Sequence, residues 1–151
     1  MYHRILVPLD GSATAERGLR EALGLAAGQD TKVYLLHVAD NFPMLMEMSS
    51  VASYEDMLNR LRQYGEDLLA KARRAADDAG VQADTSLCEV AQKRIAEVIV
   101  EEAKKASCDL IVMGTHGRRG FSHLTLGSEA ERVVRISPVP VLLVRLEETS
   151  S

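Results

Sequence analysis

Long apolar runs, surplus positive charge and cysteine are all in short supply in this sequence. No stretch approaches the roughly 20 apolar residues of a membrane span, so no membrane partner is expected. The 18 Lys and Arg stand against 22 Asp and Glu, a formal net charge of −4. That balance speaks against nucleic acid as the main partner. The N-terminal stretch Met1–Pro8 is too short and too early in its hydrophobicity for a signal peptide and reads as a strand. Cys88 and Cys108 sit among apolar residues without motif spacing and read as buried reduced thiols, in keeping with the cytoplasm. His3, His37, His116 and His123 have neither the spacing nor the company of a metal site. No serine–histidine–acid set or paired carboxylate shows itself, so no catalytic residue is expected. The familiar nucleotide loops are missing too: there is no Gly-x-x-x-x-Gly-Lys-Ser/Thr, and no Gly-x-Gly-x-x-Gly follows the first apolar run.

What is present is ordinary in bulk, 46% apolar and 26% charged over 151 residues. It reads as a single domain over 1–146 with a frayed tail at 147–151. Arg4 to Leu9 forms a first strand, stopped by the turn and helix-start signal Asp10-Gly11-Ser12. Ala15, Leu19, Ala22, Leu23 and Ala26 then recur at helical spacing until Gly28. Lys32 to Val38 is too continuously apolar for a half-wet strand. Residues 40–53, with Met44, Met46 and Met48, read as a loop, either capping the core edge or acting as an adaptable contact surface or lid. A long helix follows, with Met57, Leu61, Tyr64, Leu68, Ala72, Ala75 and Ala79 on one face. Ala83 to Val90 is a polar, edge-type strand, and Ile95 to Ala106 a third helix. Asp109 to Met113 is a buried strand. A fourth helix opens at Ser128, with Glu131 completing a capping box, and Val139 to Arg145 is the last strand.

Strands alternating with helices predict an α/β, doubly wound, five-stranded parallel sheet with helices on both faces. Ligands of such sheets sit outside the strand carboxyl ends, where strand order reverses. Both unusual turns, after Leu9 and after Met113, fall at carboxyl ends; if they share a site, the order is 3-2-1-4-5. Pro140 places the last strand at an edge. The uncharged apolar run Val139–Val144 then calls for a covering partner, and a homodimer built on this strand is expected.

The stretch Gly114 to Ser128 carries the chemistry. Glycines bare the backbone, Arg118 and Arg119 bring positive charge, and a helix N-terminus follows, three things that suit a phosphate. Each piece also has a plain structural reading: Gly114 and Gly117 as a turn of positive φ, Gly127-Ser128 and Asp10-Gly11-Ser12 as helix caps. An ionised Asp10 accepts hydrogen bonds only, so it suits a ribose hydroxyl or an adenine amine. His116 reads as a solvated or hydrogen-bonded imidazole, with phosphate contact the alternative. Glu129 enters the first helical turn, where it gains from the dipole but competes with a phosphate. The arginines offset it, or it helps hold a metal, or it turns preference from ATP towards AMP or ADP.

The spacing Gly114, two residues, Gly117, nine residues, Gly127-Ser128 resembles the nucleotide-binding signature of the universal stress protein family. Arg4–Ser12 resembles that family's opening strand and turn, Asp109–Gly117 its fourth strand and loop, and Gly127–Val134 with Pro138–Val144 its closing helix and dimer strand. The resemblance implies an adenine-nucleotide-alpha-hydrolase-like fold and bound ATP, with a divalent metal such as Mg or Mn. It places Pro8, Leu9 and Asp10 along the adenosine, Val38 against the adenine, Met113 and Gly114 near the ribose, and Gly117, Gly127 and Ser128 at phosphates. The expectation is a regulatory homodimer that responds to stress, whose nucleotide state alters a surface offered to a protein client. A slow ATPase or nucleotide transferase and a nucleotide-free interaction module are the alternatives.

Overall fold

The computed structural model describes residues 1–40, 51–91, 93–116 and 126–146. Met44, Met46, Met48, Gly117, Arg118, Arg119 and the tail 147–151 lie outside the described residues. The elements run β1 (Arg4–Pro8), α1 (Ala13–Ala26), β2 (Lys32–Asp40), α2 (Val51–Asp78), β3 (Ala83–Val90), α3 (Ile95–Lys105), β4 (Leu110–Gly114), α4 (Ser128–Ile136) and β5 (Val141–Val144). The five strands are all parallel, in the order β3-β2-β1-β4-β5. This is the expected order, with β3 and β5 at the edges.

Alternation along the strands builds two cores. Ile5, Val7 and Leu9 of β1 and its following turn pack with Ala15, Leu19 and Leu23 of α1 and Leu69, Ala72 and Ala76 of α2. Leu6, Leu36, Ile111 and Met113 pack on the opposite face with Ala96, Ile99 and Ala103 of α3 and Ala130 and Val133 of α4. Leu6, Leu36 and Ile111 are fully buried, and each such side chain contributes about 2 kcal/mol through removal from water.

Several boundaries differ from the sequence expectation: β1 stops at Pro8 instead of Leu9, and β2 runs on to Asp40 instead of ending at Val38. The long helix begins at Val51, because no glycine or proline interrupts the chain from there until Gly65. Asp109 precedes β4 instead of starting it, and its carboxylate takes the backbone N–H groups of His3 and Arg4 at 2.9–3.1 Å. Burial works to raise the Asp109 pKa, but these backbone donors together hold it below the ordinary carboxylate value. The last ladder is shorter than Val139–Arg145, since Pro140 can only accept: its carbonyl takes the Ile111 N–H at 3.0 Å and pairing of residues starts at Val141. Finally, the capping box is not formed. The N-cap of α4 is Gly127, without a side-chain cap bond, and Ser128 is the first helical residue.

Both cysteines are free. Cys108 is buried as expected, and burial pushes its thiol up to about 11 against the pull of Arg4. Cys88 is only partly buried.

Candidate functional site

The carboxyl ends of β1 and β4 lie side by side at the centre of the sheet, and the two turns that leave them touch. After Pro8 the chain turns through Asp10, whose Oδ1 accepts the Ser12 N–H at 2.9 Å, and Gly11, which takes φ +85°. Ser12 then caps α1, its hydroxyl accepting the Ala15 N–H at 3.1 Å. One residue into the helix, the Thr14 hydroxyl donates to the His116 carbonyl and lies 3.2 Å from Ser12 Oγ. A Cβ on Gly114 would stand 2.8 Å from Thr14 Cβ and 2.9 Å from its carbonyl carbon. Gly114 has no positive φ, unlike Gly11; it is small so that α1 can lie against the end of β4.

The base of the 115–127 loop is closed by backbone bonds. Thr115 donates its N–H to Val144 of β5 at 3.0 Å, and its carbonyl accepts the Gly127 N–H at 2.7 Å. A Cβ on Gly127 would meet that same carbonyl oxygen at 2.9 Å. The Thr115 side chain, 8% exposed, lies 3.0 Å from His116 Nδ1. Gly127 therefore ties the start of α4 to Thr115 through its N–H, while exposed Ser128 is the first residue of α4. At the start of that helix the Glu131 N–H bonds back to the Gly127 carbonyl at 2.9 Å. The preceding amides form the positive end that attracts anions.

Pro8, Val38 and Met113 share the sheet face covered by α3 and α4. Val38 and Met113 pack in the same core, and Pro8 is paired with Leu36. Because β2 runs on to Asp40, Val38 projects beyond the tip of β1 as an apolar ledge. Leu9 is different. It is 4% exposed in the core of the other face, its N–H goes to Leu36, and its carbonyl accepts from His37. Glu129 is also committed elsewhere: its Oε2 accepts the Ala96 N–H at 2.7 Å. It thus caps α3, whose own N-cap residue, Arg94, makes no side-chain cap bond. Arg132 follows one turn later and pairs with Glu97 at 3.1 Å, tying the two helices together.

Two observations bear on an anionic ligand. Among the described residues, His116 Nε2 is a buried ring nitrogen without a hydrogen-bond partner, which an oxygen of a bound ligand would satisfy. Also among the described residues, no group of three or more His, Cys, Asp or Glu is placed to hold a metal ion.

The model of the universal stress protein family matches residues 1–145. The chain belongs to the universal stress protein family. Universal stress protein MJ0531 of Methanocaldococcus jannaschii is 35% identical over 145 residues, 96% of this chain and 83% of that protein. The solved structure of MJ0577, a universal stress protein of the same organism, superposes with a TM-score of 0.86 at 28% identity, covering 99% of each chain. A solved universal stress protein in complex with cAMP matches with a TM-score of 0.63 at 25% identity, over 95% of this chain and 97% of that one. Two more share the fold at 23% and 18% identity, each with a TM-score of 0.67: the Archaeoglobus fulgidus protein in complex with dAMP and an Arabidopsis thaliana protein with AMP bound.

Sequence reasoning missed four residues of this universal stress protein's site region: Thr14, Thr115, His37 and Tyr64. The first two join the turns, and their signal was faint, a threonine beside each loop glycine or cap. His37 carried a plainer one, a histidine inside the apolar run Leu35-Leu36-His37-Val38-Ala39 that proves to be 6% exposed.

Proposed function

We propose that this universal stress protein binds an adenine nucleotide, ATP, ADP or AMP, as a regulatory ligand between the β1 and β4 tips. The observation that carries the reading is the contact of the two turns, Thr14 against Gly114 and His116, which puts the positive ends of α1 and α4 around one crevice. Pro8, Val38 and Met113 offer an apolar wall to adenine, and Asp10 an acceptor to the ribose or the adenine amine. Ser128 and the α4 amides face the phosphates, joined by Gly117, Arg118 and Arg119 from the loop, with Mg or Mn carried on the phosphates. Neighbours of the same fold that hold cAMP, dAMP or AMP support the ligand class.

The protein acts as a binding switch in the cytoplasm and not as an enzyme. Glu129, the carboxylate an ATPase or transferase reading would use as base or metal ligand, is bound to the Ala96 amide, and Asp10 is bonded within its own turn. A second copy covers β5, where Leu142 of the edge strand and nearby Val134 and Leu146 remain exposed, and the nucleotide state alters the surface offered to a client. One sample tests both parts, melted with and without nucleotide–Mg and sized by light scattering. At a hundredfold excess over Kd a ligand adds about 2.7 kcal/mol. The expected result is therefore a dimer whose midpoint rises by roughly 5–10 °C. A midpoint unmoved by ATP, ADP and AMP removes the nucleotide, and a monomer at high concentration removes the dimer.

A further inference from the structure

We propose that His37 and Tyr64, neither of them in the crevice wall, are positioning residues that set the β1–α1 turn for the nucleoside end of the ligand. The inference rests on the nucleotide reading above and names what fixes the affinity of that site. Two consecutive carbonyls of the turn are each held by a side chain. Leu9 O lies 2.7 Å from His37 Nδ1, and since a carbonyl only accepts, Nδ1 carries the hydrogen. Asp10 O accepts the Tyr64 hydroxyl at 3.2 Å. With the Leu9 N–H on Leu36 O at 2.8 Å, the peptide planes on both sides of Asp10 are fixed. Rotation of either plane would swing the Asp10 carboxylate, which is seated on the Ser12 N–H, away from the ligand.

The fit around these side chains is close. The His37 and Tyr64 rings meet edge to face, with centroids 5.8 Å apart and planes at 67°. Gly65 interrupts a 28-residue helix, a position that alanine would favour for helix stability, yet a Cβ there would stand 2.8 Å from His37 Cδ2 and 2.7 Å from Leu87 Cδ1. Gly11 is matched to Tyr64 in the same way: a Cβ on it would lie 2.0 Å from the hydroxyl, and its φ of +85° suits glycine. Helix α2 and the turn are therefore shaped to each other at two glycines. The simple satisfaction of buried polar groups accounts for the bonds, but not for two glycines that bring both donors onto adjacent carbonyls of the turn that bears Asp10.

The test measures AMP and ATP affinity by calorimetry, well below each variant's unfolding midpoint. Tyr64→Phe keeps the ring and deletes the donor; the expected loss is about 3–10-fold, the size of one hydrogen bond. His37→Phe should lose about tenfold or more, and His37→Gln, which retains an N–H donor, should recover most of it. Because the clamp acts at the nucleoside end, AMP and ATP should weaken by the same factor. Tyr64→Phe is conservative enough to fold even where His37→Phe does not, so the outcome does not hang on one variant. Variants that melt earlier yet bind as tightly as wild type overturn the clamp and leave the nucleotide site standing. A loss confined to ATP overturns it as well. Wild-type protein that binds neither nucleotide overturns the site and the clamp together.

Discussion

Gly114→Val is expected to lower the unfolding free energy by about 3 kcal/mol, the upper part of the usual range for overpacking, and the melting midpoint by roughly 10 °C. The new side chain has nowhere to go. Its Cβ falls 2.8 Å from Thr14 Cβ, 2.9 Å from Thr14 C and 3.0 Å from Thr14 O, so the obstacle includes backbone and no rotamer change relieves it. The amino end of α1 must lift from β4. That motion breaks the Thr14 bond to His116 and moves the Ser12 cap, so nucleotide affinity should fall with stability. Urea melts check the first effect and calorimetry the second. A valine variant within about 0.5 kcal/mol of wild type, the range of an unremarkable surface change, would refute the packing.

Gly127→Val is expected to act mainly on binding. The φ of −61° and ψ of 148° at this residue are open to any amino acid, so conformation is no obstacle. Contact is: the added Cβ meets Thr115 O at 2.9 Å and His116 Cα at 3.4 Å. The Gly127 bond to that oxygen must open, at a stability cost of about 1–2 kcal/mol. The α4 amides and Ser128 then leave their place. Loss of one or two charge-assisted bonds to phosphate corresponds to roughly a hundredfold in affinity. ATP should suffer more than AMP, the reverse of the even loss expected from the Tyr64 clamp. Titration of both nucleotides separates the two, and unchanged ATP affinity would remove the phosphates from this end of the crevice.

The architecture was legible because its signals are periodic and repeated. Continuous apolar strands such as Val33–Leu36 announced a sheet covered on both faces, and Pro140 placed β5 at an edge. The meeting of the two turns followed from a general property of such sheets, that special turns at carboxyl ends converge where strand order reverses. What sequence could not give was tertiary partnership. Glu129 looked like a rival to phosphate because its own helix was the only neighbour visible in the chain, whereas its bond is to Ala96 on α3. Ser128 looked like a cap because serine favours that position, yet Gly127 takes it, leaving the serine in the first turn of the helix. Gly114 suggested a left-handed turn, when the demand comes from Thr14, a hundred positions earlier in the chain. Thr115 gave only the faint signal of a threonine beside a loop glycine, since its role lies in backbone bonds that any residue but proline can make.

The anchoring at Thr115 also bears on how this molecule can diverge. One residue there is tied at once to the edge strand through Val144 and to the start of α4 through Gly127, while its neighbour His116 is tied to α1. Three elements are thereby fastened to one another through a single dipeptide, Thr115-His116. A descendant can therefore exchange the side chain at position 115 and still keep β5 and α4 joined, because the two bonds are the backbone's own.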